Sequence, residues 1–127
     1  ILTPHPGEMH RLAPGSTDRV ESARGLAVAW HCCVVLKGNR TLVAFPDGNV
    51  WINPTGSPAL AKGGSGDILT GLIAGLIAQF PNDWQTAVRA AVFLHGRAAE
   101  IAASKRGEKA VLATDLLDYL YEGLAAQ

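Results

Sequence analysis

Residues 62–67, with the sequence Lys-Gly-Gly-Ser-Gly-Asp, run directly into an apolar stretch that extends from residue 68 to residue 78. The pattern predicts a glycine-rich turn that opens an apolar helix. Small residues leave the first backbone N–H groups of such a helix bare, and these groups bind anions together with the helix dipole. Asp67 would repel a passively held phosphate. The turn therefore favours an enzyme that deprotonates a hydroxyl and presents it to a phosphoryl group.

The same turn has a plainer interpretation, and two nucleotide-binding motifs do not fit it. Gly-Gly-Ser-Gly-Asp is also compatible with an ordinary loop in which Ser65 or Asp67 acts only as an N-cap. No Gly-Lys-Ser/Thr follows the glycines, which excludes a Walker loop. Leu69 occupies the place of the third glycine of the dinucleotide-binding fingerprint, which is excluded as well.

Composition and charge limit the class of protein. A length of 127 residues fits one domain, 1–127, with enough material for a core. The 11 basic and 11 acidic residues give a formal charge of zero, so no nucleic-acid partner is predicted. Cys32 and Cys33 are the two cysteines of the chain, and adjacent cysteines seldom form a disulfide with each other, which indicates a reduced, cytoplasmic protein. The stretch 68–78 is too short to span a bilayer and predicts a buried core helix, with no membrane partner. The missing initiator Met suggests a fragment or a processed product.

The first residues predict the end of a strand and then a stiff loop. Two prolines restrict the segment Thr-Pro-His-Pro-Gly-Glu, which is a good place to hold His5 or Glu8 towards a ligand. The alternative is that Glu8 only caps a short helix through Leu12 and that His5 is a solvated loop residue. His5, Glu8 and His10 could also suggest a metal site, but no second cluster supports it, and no metal-ligating residues are predicted.

The segment after the first internal strand is a second candidate binding region. Residues 33–36 form a continuous apolar run, typical of a strand buried on both faces. The ends of such strands are where open α/β sheets bind ligands. Lys37 could neutralise a phosphate there, and Thr41 could hydrogen-bond to it. The alternative is a plain hairpin turn.

The remaining elements follow from periodicity and turn residues. Helices are predicted from a cap at Thr17 or Asp18 to about His31, after the glycine turn, from 84 to about 104, and after Thr114. The last helix is expected to bury four leucines, namely Leu116, Leu117, Leu120 and Leu124. Strands at 41–44 and 49–52 flank Pro-Asp-Gly, which predicts a β-hairpin. His95 lies on the apolar face of the long helix and is predicted to be a core or lining residue.

Five motifs occur in an order that resembles a known family. They are Thr-Pro-His-Pro-Gly-Glu, Val-Val-Leu-Lys-Gly-x-x-Thr, Asn-Pro-Thr-Gly-Ser-Pro, Gly-Gly-Ser-Gly-Asp-Ile-Leu-Thr-Gly-Leu-Ile-Ala-Gly-Leu and Leu-His-Gly. From residue 1 to about residue 99 the chain resembles the C-terminal half of the ADP/ATP-dependent NAD(P)H-hydrate dehydratases, which are ribokinase-like repair enzymes. The resemblance implies an α/β fold, a three-layer α/β/α ribokinase-like sandwich of which residues 1–127 are the C-terminal part. It places the amino-terminal half of the family domain outside these residues.

The resemblance also implies a reaction. A hydro-lyase of this kind removes water from hydrated NADH or NADPH, with ADP or ATP and Mg²⁺. The hydrated dinucleotide and the adenine nucleotide are then the expected partners, and a homo-oligomer is expected. By this analogy Asp67 takes the proton from the C6 hydroxyl, which attacks the terminal phosphoryl group, and phosphate then leaves more readily than hydroxide.

Residue roles are carried over onto matching positions. His5 is expected to contact the hydrated nicotinamide nucleotide, and Asp67 to face the substrate as the catalytic residue. Gly66 is expected to contact the nucleotide, and the amides of Gly64, Ser65 and Gly66 to form an anion hole. The adenosine phosphate site is expected to be lined by Lys37, Gly38, Asn39, Arg40 and Thr41.

One departure and two alternatives accompany this interpretation. Leu60-Ala61-Lys62 stands where the family often has Met-Ala-Thr or Met-Ala-Ser, so Lys62 is expected to add a positive charge near the phosphates. The alternatives are a hydroxymethylpyrimidine or hydroxyethylthiazole kinase of the same superfamily, and a non-catalytic nucleotide-binding fragment. The Thr-Pro-His-Pro-Gly-Glu and Leu-Lys-Gly-x-x-Thr motifs favour the dehydratase over the kinases.

Overall fold

The computed structural model describes residues 1–15 and 17–125, which form two compact units. The first unit is Ile1–Asn53 and the second begins at Pro54. The elements of the first unit, in chain order, are α1 (Pro6–Leu12), α2 (Arg19–Ala29), β1 (Val34–Leu36), β2 (Leu42–Ala44) and β3 (Val50–Ile52).

The three strands of the first unit form one antiparallel sheet in the order β1-β2-β3. Leu36 pairs with Leu42, and Ala44 pairs with Val50, so both connections are hairpins. Leu2 adds a short parallel bridge to Val34. Every residue of β1 and β2 is buried, and the apolar run at 33–36 predicted this for β1. The hairpin predicted around Pro-Asp-Gly is confirmed.

The helices of the first unit begin at side-chain caps. The Asp18 carboxylate accepts from the amides of Val20 and Glu21, which fixes the start of α2 as predicted. The helix ends at Ala29, before the expected His31, because His31 has a left-handed backbone with φ 49°. The core cluster of this unit comprises Met9, Ala23, Leu26, Ala27, Val34, Leu36, Leu42 and Ala44.

The second unit is helical. Its elements are a 3₁₀ turn at Pro58–Leu60, α3 (Ser65–Gln79), a 3₁₀ turn at Pro81–Asp83, α4 (Trp84–Arg106) and α5 (Asp115–Ala125). Both α3 and α5 pack against α4. Gly107, with φ 81°, is the C-cap of α4, which ends at Arg106, two residues beyond the predicted end at about 104. The core cluster here comprises Ala59, Ala99, Ala102, Val111 and Leu116.

Two burial predictions were wrong. The helix α3 was expected to be a buried core helix, but Leu69 and Ile73 are the buried residues of α3 within the described chain. In α5, Leu116 is buried as expected, but Leu117 and Leu124 are 53% and 56% exposed. The main packing partner of each of these two helices is α4, so only the positions that face α4 become buried. The described helices include none with the length and apolar character needed to cross a membrane.

Candidate active site

The glycine turn adopts the geometry that the sequence predicted for the start of α3. Gly64 is the N-cap, with φ 90° in the left-handed region, and no side chain caps the helix. A Cβ at Gly64 would lie 3.2 Å from the Cβ of Ala113. The Gly64 carbonyl accepts from the amides of Asp67 and Ile68 at 3.1 and 3.2 Å. The backbone conformation strongly favours glycine at this position, and a Cβ would make a tight contact with Ala113.

Asp67 lies in the first turn of α3, one residue after Gly66, and its side chain is exposed. An acidic residue at this position is stabilised by the helix dipole. The carboxylate is therefore fixed to a rigid helical backbone while remaining accessible to a small molecule. Thr70 donates its hydroxyl to the Gly66 carbonyl at 3.0 Å, which also supports the first turn.

The three amides predicted to form the anion hole are those of Gly64, Ser65 and Gly66. The Ser65 amide donates to the Lys62 carbonyl at 3.4 Å, which is long for an N–H···O bond. The Ser65 hydroxyl donates towards the carbonyls of Leu60 and Lys62, at 2.7 and 3.0 Å. Ser65 therefore closes the turn through its side chain, while its amide is only weakly engaged.

The ammonium group of Lys62 makes hydrogen bonds to residues that are distant in sequence. Its ammonium group donates to the Lys109 carbonyl at 2.8 Å and also to the Val111 carbonyl. These carbonyls belong to the loop that precedes α5. Lys62 thus holds the glycine turn to that loop, a role that neither the composition nor the motif indicated.

His95 is the buried polar residue beneath the turn. It lies on α4, is 6% exposed, and its Nε2 lies 2.9 Å from the Ser65 carbonyl oxygen. Because a carbonyl only accepts, Nε2 is the protonated nitrogen. Burial lowers the pKa of His95, and the bond to Ser65 partly opposes this effect. The sequence predicted a core or lining histidine here, and the structure confirms that placement.

In the first unit, the segment 37–41 is the hairpin connection between β1 and β2. Gly38 and Arg40 have positive φ values, 134° and 54°. The Thr41 hydroxyl donates to the Gly38 carbonyl at 3.2 Å, and the Lys37 amide donates to the Pro4 carbonyl at 2.9 Å. The predicted nucleotide residues and the His5 loop are thus brought side by side within this unit.

His5 and Glu8 form a reciprocal capping box at the start of α1. The Glu8 amide donates to His5 Nδ1 at 3.1 Å, and the His5 amide donates to the Glu8 carboxylate at 2.7 Å. The bond from the His5 amide, with the neighbouring positive charges, lowers the pKa of Glu8. Glu8 Oε2 also lies 3.9 Å from Lys37 Nζ. The helix-cap alternative for Glu8 is confirmed, and the side chain of His5 remains half-exposed on the Glu8 carboxylate that Lys37 also approaches.

Sequence reasoning missed Arg19. This residue begins α2, and its Nη1 donates to the Asn39 carbonyl at 2.9 Å. A Cβ at Gly38 would lie 3.2 Å from Arg19 Nη2. The guanidinium therefore rests against the backbone of the β1–β2 connection, 20 residues away in sequence. An arginine at the start of an amphipathic helix resembles any solvated residue, so no local signal could have revealed this contact.

The predicted residues are divided between the two units. The first contains His5 and the run from Lys37 to Thr41, and the second contains the run from Gly64 to Asp67. Within residues 1–15 and 17–125, no group of three or more His, Cys, Asp or Glu side chains is arranged to hold a metal ion. Cys32 and Cys33 are free thiols, and burial raises the pKa of Cys33 to about 12, which disfavours its reactive thiolate form at neutral pH.

Known proteins are similar to this chain in sequence and in fold. The chain is 51% identical over 126 residues to the bifunctional NAD(P)H-hydrate repair enzyme Nnr of Moorella thermoacetica, covering 94% of this chain and 23% of that protein. It is 46% identical to the ADP-dependent (S)-NAD(P)H-hydrate dehydratase of Bacillus subtilis, covering 94% of this chain and 45% of that protein. The chain therefore spans about a quarter to a half of the length of these relatives.

Solved structures give the same result. The ADP/ATP-dependent NAD(P)H-hydrate dehydratase from Bacillus subtilis, co-crystallized with ATP/Mg²⁺, superimposes with a TM-score of 0.91 at 42% identity, covering 98% of this chain and 47% of that chain. A ribokinase-like superfamily protein from Enterococcus faecalis gives 0.80 at 29% identity, covering 95% and 43%. The predicted α/β, ribokinase-like fold is confirmed. A family model described as NAD(P)H-hydrate dehydratase matches residues 1–122, and the chain belongs to that family.

Proposed function

We propose that the protein containing these residues removes water from hydrated NADH or NADPH in a reaction driven by ADP or ATP. The observation that carries the proposal is the exposed carboxylate of Asp67, held in the first turn of α3 just beyond left-handed Gly64. A carboxylate at this place suits proton abstraction from a hydroxyl, and bare amides beside it suit a phosphoryl group. Membership of the dehydratase family supports this choice over a vitamin-precursor kinase.

Each predicted residue has a role in this proposal. Asp67 would accept the proton of the C6 hydroxyl, and the amides of Gly64, Ser65 and Gly66 would stabilise charge on the phosphoryl oxygens. Because its bond to Lys62 is long, the Ser65 amide keeps donor capacity for an anion. When bound, the adenine nucleotide with Mg²⁺ supplies the phosphoryl group that makes the hydroxyl a good leaving group.

The residues proposed to bind the nucleotide have suitable chemistry. The segment Lys37, Gly38, Asn39, Arg40 and Thr41 offers an ammonium group, a hydroxyl and a turn with two positive φ values. Exposed turns of this kind direct backbone amides towards anions. Mg²⁺ keeps several waters and binds largely through phosphates, so it needs no dedicated cluster of protein ligands. The half-exposed side chain of His5 is proposed to contact the hydrated nicotinamide nucleotide.

Further parts of the proposal concern the whole protein. Residues 1–127 are proposed to be the C-terminal portion of one ribokinase-like domain. The free thiols of Cys32 and Cys33 support a cytoplasmic location. The exposed apolar side chains of Leu117 and Leu124 support self-association into a homo-oligomer. Light scattering on the purified full-length protein tests the last point, and a monomer at micromolar concentration would contradict it.

The proposed activity is tested on the full-length gene product. The protein is mixed with hydrated NADH, Mg²⁺ and ADP or ATP, and the return of dihydronicotinamide absorbance is followed. Asp67→Asn should lower kcat by about 10²–10⁴-fold, the usual contribution of a general base, while nucleotide affinity survives in calorimetry.

Asp83→Asn is the matched control. Asp83 is also a carboxylate at a helix N-terminus, that of α4, and makes no capping bond there. This variant should keep wild-type kcat. If folded, nucleotide-binding protein fails to restore absorbance, the dehydratase proposal is wrong.

A further inference from the structure

The hydrogen bond from His95 to the glycine turn has no part in the roles described above. Nε2 of His95 donates to the Ser65 carbonyl oxygen over 2.9 Å, and the two residues are 30 positions apart in sequence. Ser65 is the first residue of α3, so its carbonyl is also the expected acceptor for the amide four residues later. A carbonyl oxygen has two lone pairs and can accept both bonds. His95 therefore adds a second, buried donor at this one carbonyl.

The position of this carbonyl matters because of peptide geometry. The Ser65 C=O belongs to the same planar unit as the Gly66 N–H, and in a trans peptide the two point in opposite directions. The structure contains no cis peptide bonds in the described chain. A donor that holds the Ser65 oxygen on one side therefore fixes the direction of the Gly66 N–H on the other.

The same bond changes the strength of that N–H as a donor. Hydrogen bonds in a chain polarise one another, so a peptide whose oxygen accepts a bond donates more strongly through its nitrogen. His95 is 6% exposed, and in such surroundings its bond competes little with water. The Gly66 amide is one of the groups proposed to face the phosphoryl oxygens.

The backbone of α4 around His95 is itself anchored. Gly96 lies so close to Thr55 that a Cβ there would be 2.8 Å from the Thr55 carbonyl carbon. The Thr55 hydroxyl donates to the Phe93 carbonyl at 2.8 Å. These two contacts leave the helix little freedom to shift at the residues on either side of His95. The imidazole of His95 is therefore attached to a segment of α4 whose backbone is fixed by Thr55.

We propose that His95 is a positioning residue that orients and polarises the Ser65–Gly66 peptide, so that the Gly66 amide is a preset donor to the phosphoryl group. This inference rests on the proposed function. In a positioning role, His95 lowers the free energy of the transition state; in a purely structural role, it would only stabilise the folded protein. A preset donor contributes to kcat, whereas loss of core packing lowers the melting temperature.

The first test compares His95→Leu with His95→Gln in the full-length protein. Gln places an N–H donor at a similar reach, whereas Leu fills space without donating. His95→Leu should lower kcat for dehydration about tenfold to a hundredfold. This loss is no greater than that caused by removing a whole oxyanion-hole donor, because the Gly66 amide remains present. The KM for hydrated NADH should stay within about twofold, since the substrate contacts are unchanged. His95→Gln should restore most of kcat.

Val88→Ala is the control for stability. Val88 is fully buried on the same helix, two turns earlier, and has no bond to the glycine turn. It should lower the melting temperature and leave kcat unchanged. If His95→Leu behaves like Val88→Ala, or if His95→Gln does not restore kcat, the inference is wrong.

A second readout does not depend on turnover. Ser65–Gly66 is the one Ser–Gly step in these 127 residues, so ¹³C-carbonyl serine with ¹⁵N-glycine labelling selects its amide signal by NMR. Ser65→Ala removes and thereby assigns that signal. His95→Leu should move the Gly66 amide proton upfield, and His95→Gln and Val88→Ala should leave it near its wild-type position. An unmoved signal in His95→Leu overturns the inference. If His95→Leu moves the Gly66 signal but the wild-type protein lacks dehydratase activity, the proposed function is wrong, whereas the positioning of Gly66 by His95 is supported.

Discussion

Position 96 is a glycine because the backbone of Thr55 passes directly over it. A Cβ there would lie 2.8 Å from the Thr55 carbonyl carbon and 2.9 Å from its oxygen, and would also meet the Thr55 hydroxyl. Glycine lowers helix propensity in a helix interior, and Gly96 lies well inside α4. Close packing of a loop against the helix therefore decides this residue against its local preference.

Gly96→Ala should lower the free energy of unfolding by about 2–3 kcal/mol, because the obstacle is backbone and cannot move aside like a side-chain tip. The control is Gly25→Ala in α2, where no atom lies within 4 Å of the new Cβ. That change should raise stability by about 0.5–1 kcal/mol through helix propensity. Urea denaturation of the full-length protein measures both. An alanine at 96 that leaves stability unchanged would contradict the packing shown here.

His95 should also make stability depend on pH. Burial lowers the pKa of His95 below the ordinary value of 6.5. Between the folded pKa and 6.5, the unfolded chain therefore binds a proton at His95 and the folded chain does not. Stability contributed by neutral His95 is therefore full above about pH 6.5 and is lost as the pH falls towards the folded pKa, with a slope of up to about 1.4 kcal/mol per pH unit. Urea denaturation between about pH 5 and about pH 8 should show this slope in wild type and a smaller one in His95→Gln. Equal slopes in the two proteins would show that His95 is not the source of the pH dependence.

Among the helices, α5 shows where periodicity succeeds and fails. The spacing of apolar residues predicted the helix and the burial of Leu116. It could not distinguish the stripe that packs against α4 from the neighbouring apolar stripe, and Leu117 and Leu124 are exposed. Both stripes have helical period, so the partner element decides which is covered. The same limit explains the partial burial of α3.

Two arginines of α2 hold the two hairpin connections of the sheet, and only one of these connections is proposed to bind nucleotide. Arg19 donates to the Asn39 carbonyl, and Arg24 donates to the Gly48 carbonyl at 3.1 Å. Arg19→Ala should loosen the 37–41 segment and weaken nucleotide binding about fivefold, the equivalent of one hydrogen bond. Arg24→Ala, the matched control, should change affinity less than twofold. Calorimetry with ADP and Mg²⁺ measures both affinities. If the two variants lose affinity equally, Arg19 has no special role in holding the nucleotide segment.

Across the whole chain, local chemistry predicted more than tertiary contacts. Asp18, as one of two candidate caps, and the glycine turn before α3 were predicted because they act on neighbouring backbone. The contacts of Lys62 were not predicted because its ammonium group donates to carbonyls 47 and 49 residues away, and only the folded chain brings them together. Arg19 was missed for the same reason. The motif order identified the family because it joins several local patterns whose spacing is set by one fold.

The proposed nucleotide site has a consequence for the stability of the whole protein. A ligand that binds the folded state alone stabilises it by mass action, about 2.7 kcal/mol at a hundredfold excess over Kd. ADP with Mg²⁺ should therefore raise the melting temperature of the full-length protein by several degrees. Asp67→Asn should keep this shift, because it removes a proton acceptor and no contact proposed for the nucleotide.

Lys37→Ala should reduce the same shift, because it deletes an ammonium group of the 37–41 segment proposed to meet the phosphates. The matched deletion is Lys105→Ala, which removes a surface lysine paired with Glu122 in the second unit. Such exposed pairs contribute little, so Lys105→Ala should keep the full shift. Thermal unfolding with and without ADP and Mg²⁺ compares the four proteins. If ADP and Mg²⁺ raise the melting temperatures of Lys37→Ala and Lys105→Ala equally, the nucleotide phosphates do not lie at Lys37.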